Sequence, residues 1–118
     1  MKLFITVSGD SKTDTIDSGF GRCPYILIYE TENDSFKFIS NPHQDSQASV
    51  GASVASMAVE MNVEAVISAN PGPKAFNILK DANIKIFQAT ANTKIKRVIA
   101  AFEKNELNQL EEYIPYQG

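Results

Sequence analysis

Phe20-Gly21-Arg22-Cys23-Pro24-Tyr25 gathers the residue types best able to do chemistry in this chain. A glycine frees the backbone, a cation follows, then a soft metal ligand, then a proline that fixes φ and supplies no N–H. The residue before a proline is pushed to an extended conformation, so Cys23 is expected to splay outward from a loop. Cys23 and His43 are the single cysteine and single histidine of the 118 residues. Thiolate and imidazole suit zinc, copper or iron–sulfur species. Two protein ligands do not complete a tetrahedral site, but they can grip a preformed cluster that brings most of its own ligands. A nearby arginine, Arg22, favours the thiolate. Backbone N–H groups near Gly51 and at a helix start around Pro73 can offset negative charge on such a cluster.

These residues need elements to position them. Leu3–Val7 is a short apolar, β-branched run that stops at Ser8-Gly9-Asp10, which predicts a buried first strand rather than a signal peptide. Ser11–Gly19 is polar and predicts a long exposed loop. Tyr25–Tyr29 and Phe36–Ile39, joined by a turn at Thr31–Ser35, predict an antiparallel hairpin. Asp45 or Ser46 is placed to cap a helix from about Ala48 to Met61, whose small residues let it lie close on a sheet. Ala65–Ser68 is a fourth strand. Pro71-Gly72-Pro73 opens a second helix carrying Phe76, Leu79 and Ala82 inward, ended by Asn83 in a left-handed cap. Ile84–Phe87 is a fifth strand. Asn92-Thr93 caps a third helix with the stripe Ile95, Val98, Ile99 and Phe102. In the acidic tail from Glu106, Leu107, Leu110 and Ile114 are expected to tuck against the body. The order is β-β-β-α-β-α-β-α, a single α/β domain over residues 1–118 with a five-stranded mixed sheet and right-handed crossovers.

This order has a geometric consequence. If the second strand runs down beside the first and the third runs up, Cys23 and Asn41-Pro42-His43 share one rim. With the fourth and fifth strands parallel to the first, Asn70-Pro71-Gly72 and Thr90-Ala91-Asn92 end there too. Ligands in open α/β sheets bind outside the carboxyl ends of parallel strands.

Composition narrows the classes. The chain is 43% hydrophobic and 21% charged with a net charge of −3, which gives no footprint for nucleic acid. No run approaches the length of a membrane span. One cysteine excludes an internal disulfide, and a free thiol fits a reducing cytoplasm.

At these residues the chain resembles the dinitrogenase iron–molybdenum cofactor biosynthesis family, small proteins with a ribonuclease-H-like α/β/α fold. The resemblance rests on Asp17-Ser18 followed by Phe20-Gly21-Arg22-Cys23-Pro24-Tyr25, then Asn41-Pro42 before the alanine-rich helix. It continues in Ala69-Asn70-Pro71-Gly72-Pro73-Lys74-Ala75-Phe76 and a last loop-to-helix turn. Two pieces depart from the pattern: the glycine-rich run is reduced to Val50-Gly51-Ala52, and Gln88–Thr93 lacks glycine. The resemblance implies a stand-alone, non-enzymatic carrier or accessory protein for an iron–sulfur or iron–molybdenum cofactor precursor. It would work with metal-cluster biosynthesis or acceptor proteins, as a monomer or homodimer. Cys23 and His43 are the implied metal ligands, with Arg22, Gly51, Asn70 and Gly72 completing the cofactor-binding set.

Each residue also has a plainer reading. Cys23 can be a small buried hydrophobe. His43 can be an exposed loop residue. Arg22 can pair with Asp10 or Asp17. Two other functions compete with the carrier reading. One is a small-anion or nucleotide binding module at the helix starts. The other is a metal-dependent phosphodiesterase using Asp10, Asp14 and Asp17, although these crowd into one loop.

Overall fold

The structure is a computed structural model that describes residues 1–46 and 49–113. Its elements are β1 (Lys2–Val7), β2 (Tyr25–Glu30), β3 (Ser35–Ser40), α1 (Val50–Glu60), β4 (Ala65–Ser68), α2 (Pro73–Asp81), β5 (Lys85–Gln88), α3 (Ile95–Glu103) and β6 (Asn108–Gln109). The strands form one sheet in the order β3-β2-β1-β4-β5-β6. β1, β2 and β3 are antiparallel neighbours, while β4 runs parallel to both β1 and β5.

Side chains alternate across the sheet, so each central strand feeds two cores. Phe4, Ile26 and Val66 face α1 and α2, where they meet Val54, Ala58, Phe76 and Leu79. Leu3, Ile5, Leu27 and Ile67 face α3, where they meet Ile95, Val98 and Ile99. Fully burying such a side chain stabilises the fold by roughly 1.5–3 kcal/mol. Small residues bring α1 and α2 together: a Cβ built on Gly51 would stand 3.8 Å from the Ala75 Cβ. Phe102 covers the α3 core by stacking edge-on against Phe87, with ring centroids 5.1 Å apart.

Several expectations need correction. The sheet has six strands, not five, because the tail adds β6 against β5 through Phe87↔Gln109 and Gln88↔Asn108. Leu107 and Leu110 do pack on the two cores; Ile114 lies outside the described residues. Ala82 is exposed and forms the C-cap of α2, and Ala75 takes the inward place. Asn83 has φ 60°, the left-handed cap expected of it. α1 begins at Val50 rather than near Ala48, which is itself outside the described residues. Its N-cap is Ser49 at φ 57°, with no side-chain cap hydrogen bond. α3 is preceded by Lys94 rather than capped by Asn92-Thr93, and the Ile95 N–H donates to the Asp14 carbonyl at 3.0 Å.

The Ser11–Gly19 segment is not simply an exposed loop. Ile16 is fully buried in the α3-side core. Its N–H donates to the Thr93 carbonyl and its carbonyl accepts from the Asn92 N–H, both at 2.9 Å. One apolar side chain thereby staples the β1–β2 connection to the β5–α3 connection.

Candidate functional site

The registers place the loops on one rim. Val7 pairs with Tyr25, Tyr25 with Ser40, Ile5 with Ile67, and Ser68 with Gln88. The segments before β2 and after β1, β3, β4 and β5 therefore all emerge at the same end of the sheet.

Within this rim Gly21 touches the start of α1. A Cβ built on Gly21 would lie 2.6 Å from the Gly51 nitrogen and 2.8 Å from the Val50 carbonyl carbon. The loop and the helix start thus meet backbone to backbone. Asn41 fastens the arrangement from beneath. It is buried, and its Nδ2 donates to the Gly21 carbonyl at 2.9 Å and the Cys23 carbonyl at 2.8 Å. Its Oδ1 accepts from the His43 backbone N–H at 2.9 Å. One amide therefore joins the Gly21–Cys23 segment to the His43 loop.

Cys23 does not splay outward. It is fully buried in the α1/α2-side core, with the Asn41 Nδ2 3.8 Å from its Sγ. A proline fixes the backbone of its predecessor but not which face the side chain takes. Burial, with a smaller contribution from the Asp17 carboxylate, pushes the Cys23 thiol up to about 12. Iodoacetamide at pH 8 is expected to alkylate Cys23 about a thousandfold more slowly in the native protein than in urea. Equal rates would show that the buried arrangement does not hold. Because the folded protein holds the proton more tightly than the unfolded chain, the thiol contributes stability fully below pH 9, and that contribution is lost as the pH climbs towards 12.

Arg22 is exposed, and its Nη1 donates to the Gln44 carbonyl at 3.0 Å rather than pairing with Asp10 or Asp17. His43 is half-buried. Arg22, Cys23, His43 and Gly51 are thus brought together. Asn70 and Gly72 lie on the same rim at the start of α2, linked to the others through the Gly51–Ala75 contact. Among the described residues no group of three or more His, Cys, Asp or Glu side chains could hold a metal ion. The loop carboxylates serve local turns: Asp14 accepts from the Ser11 N–H at 2.8 Å and Asp17 from the Gly19 N–H at 2.9 Å.

Sequence reasoning missed Asn41 as a buried linchpin, and it missed two hydroxyls. Thr6 and Ser68 are fully buried and their oxygens have no hydrogen-bond partner. Strand alternation with Phe4 and Val66 puts both on the α1/α2 side, at the rim ends of β1 and β4. A polar residue inside an apolar run was the available signal. Neither α1 nor α2 has a side-chain cap among the described residues. The starts of both helices therefore offer backbone N–H donors at one end of one face, where the two hydroxyls lie buried.

The fold and rim define a mixed α/β protein whose loops converge as in ligand-binding sheets. The family model for the dinitrogenase iron–molybdenum cofactor matches residues 1–105. The chain belongs to that family. An uncharacterized protein of Methanocaldococcus jannaschii is 35% identical over 95 residues, 78% of this chain and 80% of that one. The NMR structure of a putative NifB protein from Thermotoga, described as belonging to the DUF35 family, is 27% identical with TM-score 0.82, covering 99% of this chain and 98% of that one. The apo form of the orange protein from Desulfovibrio gigas has the same fold, with TM-score 0.90 over 97% of this chain and 96% of that one, at 18% identity.

Proposed function

We propose that this protein is a non-enzymatic, cytoplasmic carrier or accessory protein that binds an iron–sulfur or iron–molybdenum cofactor precursor at the rim. Family membership over residues 1–105 supports a cofactor-related role. The observation that carries the site is the Asn41 amide, which ties the Gly21–Cys23 segment to the His43 loop. The donor set suits an anionic cluster that brings its own sulfide ligands. Arg22 supplies charge, and the uncapped starts of α1 and α2 supply N–H groups. His43 is the protein ligand in this reading. Cys23, buried and with its thiol pushed up to about 12, packs beneath the site rather than ligating. Gly51, Asn70 and Gly72 shape the surface that receives the cluster. The precursor passes to or from a biosynthesis or acceptor protein, with the protein acting as a monomer or homodimer. The ribonuclease-H-like assignment of this single domain belongs to the same proposal, supported by the antiparallel opening strands and the parallel β4 and β5.

Anaerobic reconstitution with iron and sulfide, read by visible absorption and metal analysis, tests the reading. Wild type and Cys23→Ser are expected to take up cluster, whereas Arg22→Ala and His43→Ala lose most of it. Background metal in the wild type would remove the iron–sulfur reading. Loss in Cys23→Ser with retention in His43→Ala would reverse the assigned roles.

A further inference from the structure

We propose that the cleft where β4 and β5 end is a second ligand site, for a small organic molecule bearing a carboxylate or phosphate, with Arg97 as the anion-binding residue. β4 and β5 are adjacent and parallel, ending side by side at Ser68 and Gln88. From β4 the chain passes to α2 on one face of the sheet, and from β5 it passes to α3 on the other. Neighbouring parallel strands whose connections diverge leave a crevice outside their carboxyl ends, and ligands of open α/β sheets bind in such crevices. Here the crevice is a cavity of about 580 Å³, a size that suits a small molecule.

Its lining suits one as well. Ala69, Ala89 and Val98 give an apolar floor, while Thr93 and Arg97 supply donors. The tail closes the far side with Glu106, held in place by β6 and by the Leu110 N–H donating to the Ile86 carbonyl at 2.7 Å. Arg97 and Glu106 line one cavity yet form no ion pair, and Arg97 has no carboxylate partner among the described residues. A guanidinium fork left without a carboxylate beside an apolar floor matches a planar or tetrahedral oxyanion on an organic body. The cleft lies on the α3 side of the sheet, whereas Cys23 and the Gly21–Gly51 contact belong to the α1/α2 side. It therefore stands or falls separately from the cofactor reading.

Two-dimensional ¹⁵N NMR titration with inorganic phosphate and with citrate tests the site, the two probes separating phosphate from carboxylate recognition. Saturable shifts at Ala89, Thr90, Thr93 and Arg97 are expected in the millimolar range or below for at least one probe. Arg97→Ala should weaken binding about tenfold or more, Arg97→Lys should restore part of it, and Glu106→Gln should tighten it by removing a like charge. The proposal is overturned by flat titrations with both probes, by shifts unchanged in Arg97→Ala, or by shifts centred on Val50–Ala52.

Discussion

Gly21→Ala is expected to destabilise the protein by about 2–3 kcal/mol and to push α1 away from the rim loop. The new Cβ would meet the Gly51 nitrogen at 2.6 Å, the Val50 Cγ2 at 2.7 Å and the Val50 carbonyl carbon at 2.8 Å. A valine methyl can rotate aside, but backbone atoms move only if the helix start moves. The requirement at Gly21 is space, since its φ lies outside the left-handed region. Urea unfolding measures the effect as a lowered midpoint at unchanged slope. A wild-type midpoint would mean that loop and helix are not in contact. Gly72 is the control, because a Cβ there meets nothing within 4 Å.

Asn41→Leu is expected to cost more, about 3–5 kcal/mol. It strands the Gly21 and Cys23 carbonyls and the His43 N–H, each of which now has the Asn41 amide as a partner. A buried polar group left without a partner costs about 1–3 kcal/mol. Thermal melting should fall by about 10–20 °C, and a change within about 0.5 kcal/mol, as for an ordinary surface substitution, would refute the linchpin role. Asn41→Asp sharpens the test. Its carboxylate would face two carbonyl oxygens, which disfavours ionisation and raises its folded pKa. The variant should therefore be least impaired below about pH 4, the ordinary carboxylate value, and lose stability as the pH rises above it. A deficit independent of pH would show that charge plays no part.

The elements were legible because their signals are local. Apolar runs marked β1, β2, β4 and β5, the 3.6-residue stripe marked α3, and Asn83 marked the end of α2. Element order, with β2 antiparallel and β4 and β5 parallel to β1, then implied the shared rim, which the registers reproduce. What escaped depends on distant partners. β6 consists of Asn108 and Gln109, polar residues paired through backbone groups that carry no side-chain signature. Ile16 is one apolar residue among polar ones, and only the arrival of the β5–α3 loop explains its burial. Cys23 faces the α1/α2-side core, a choice of side that the proline after it leaves open. Asn41 looked like turn chemistry, and its backbone role at His43 is that; its amide contacts across 18 and 20 residues are not visible in a turn.

The Ile16 staple bears on the cost of recognition. A long connection held only at its ends would sample many shapes, and ordering it around a ligand would consume roughly 1–2 kcal/mol per residue of chain entropy. Here the hydrogen bonds to Asn92 and Thr93 and the burial of Ile16 fix the connection before any ligand arrives. Most of that entropy is lost during folding, so a ligand at the rim would meet a preorganised surface and keep more of each contact as affinity.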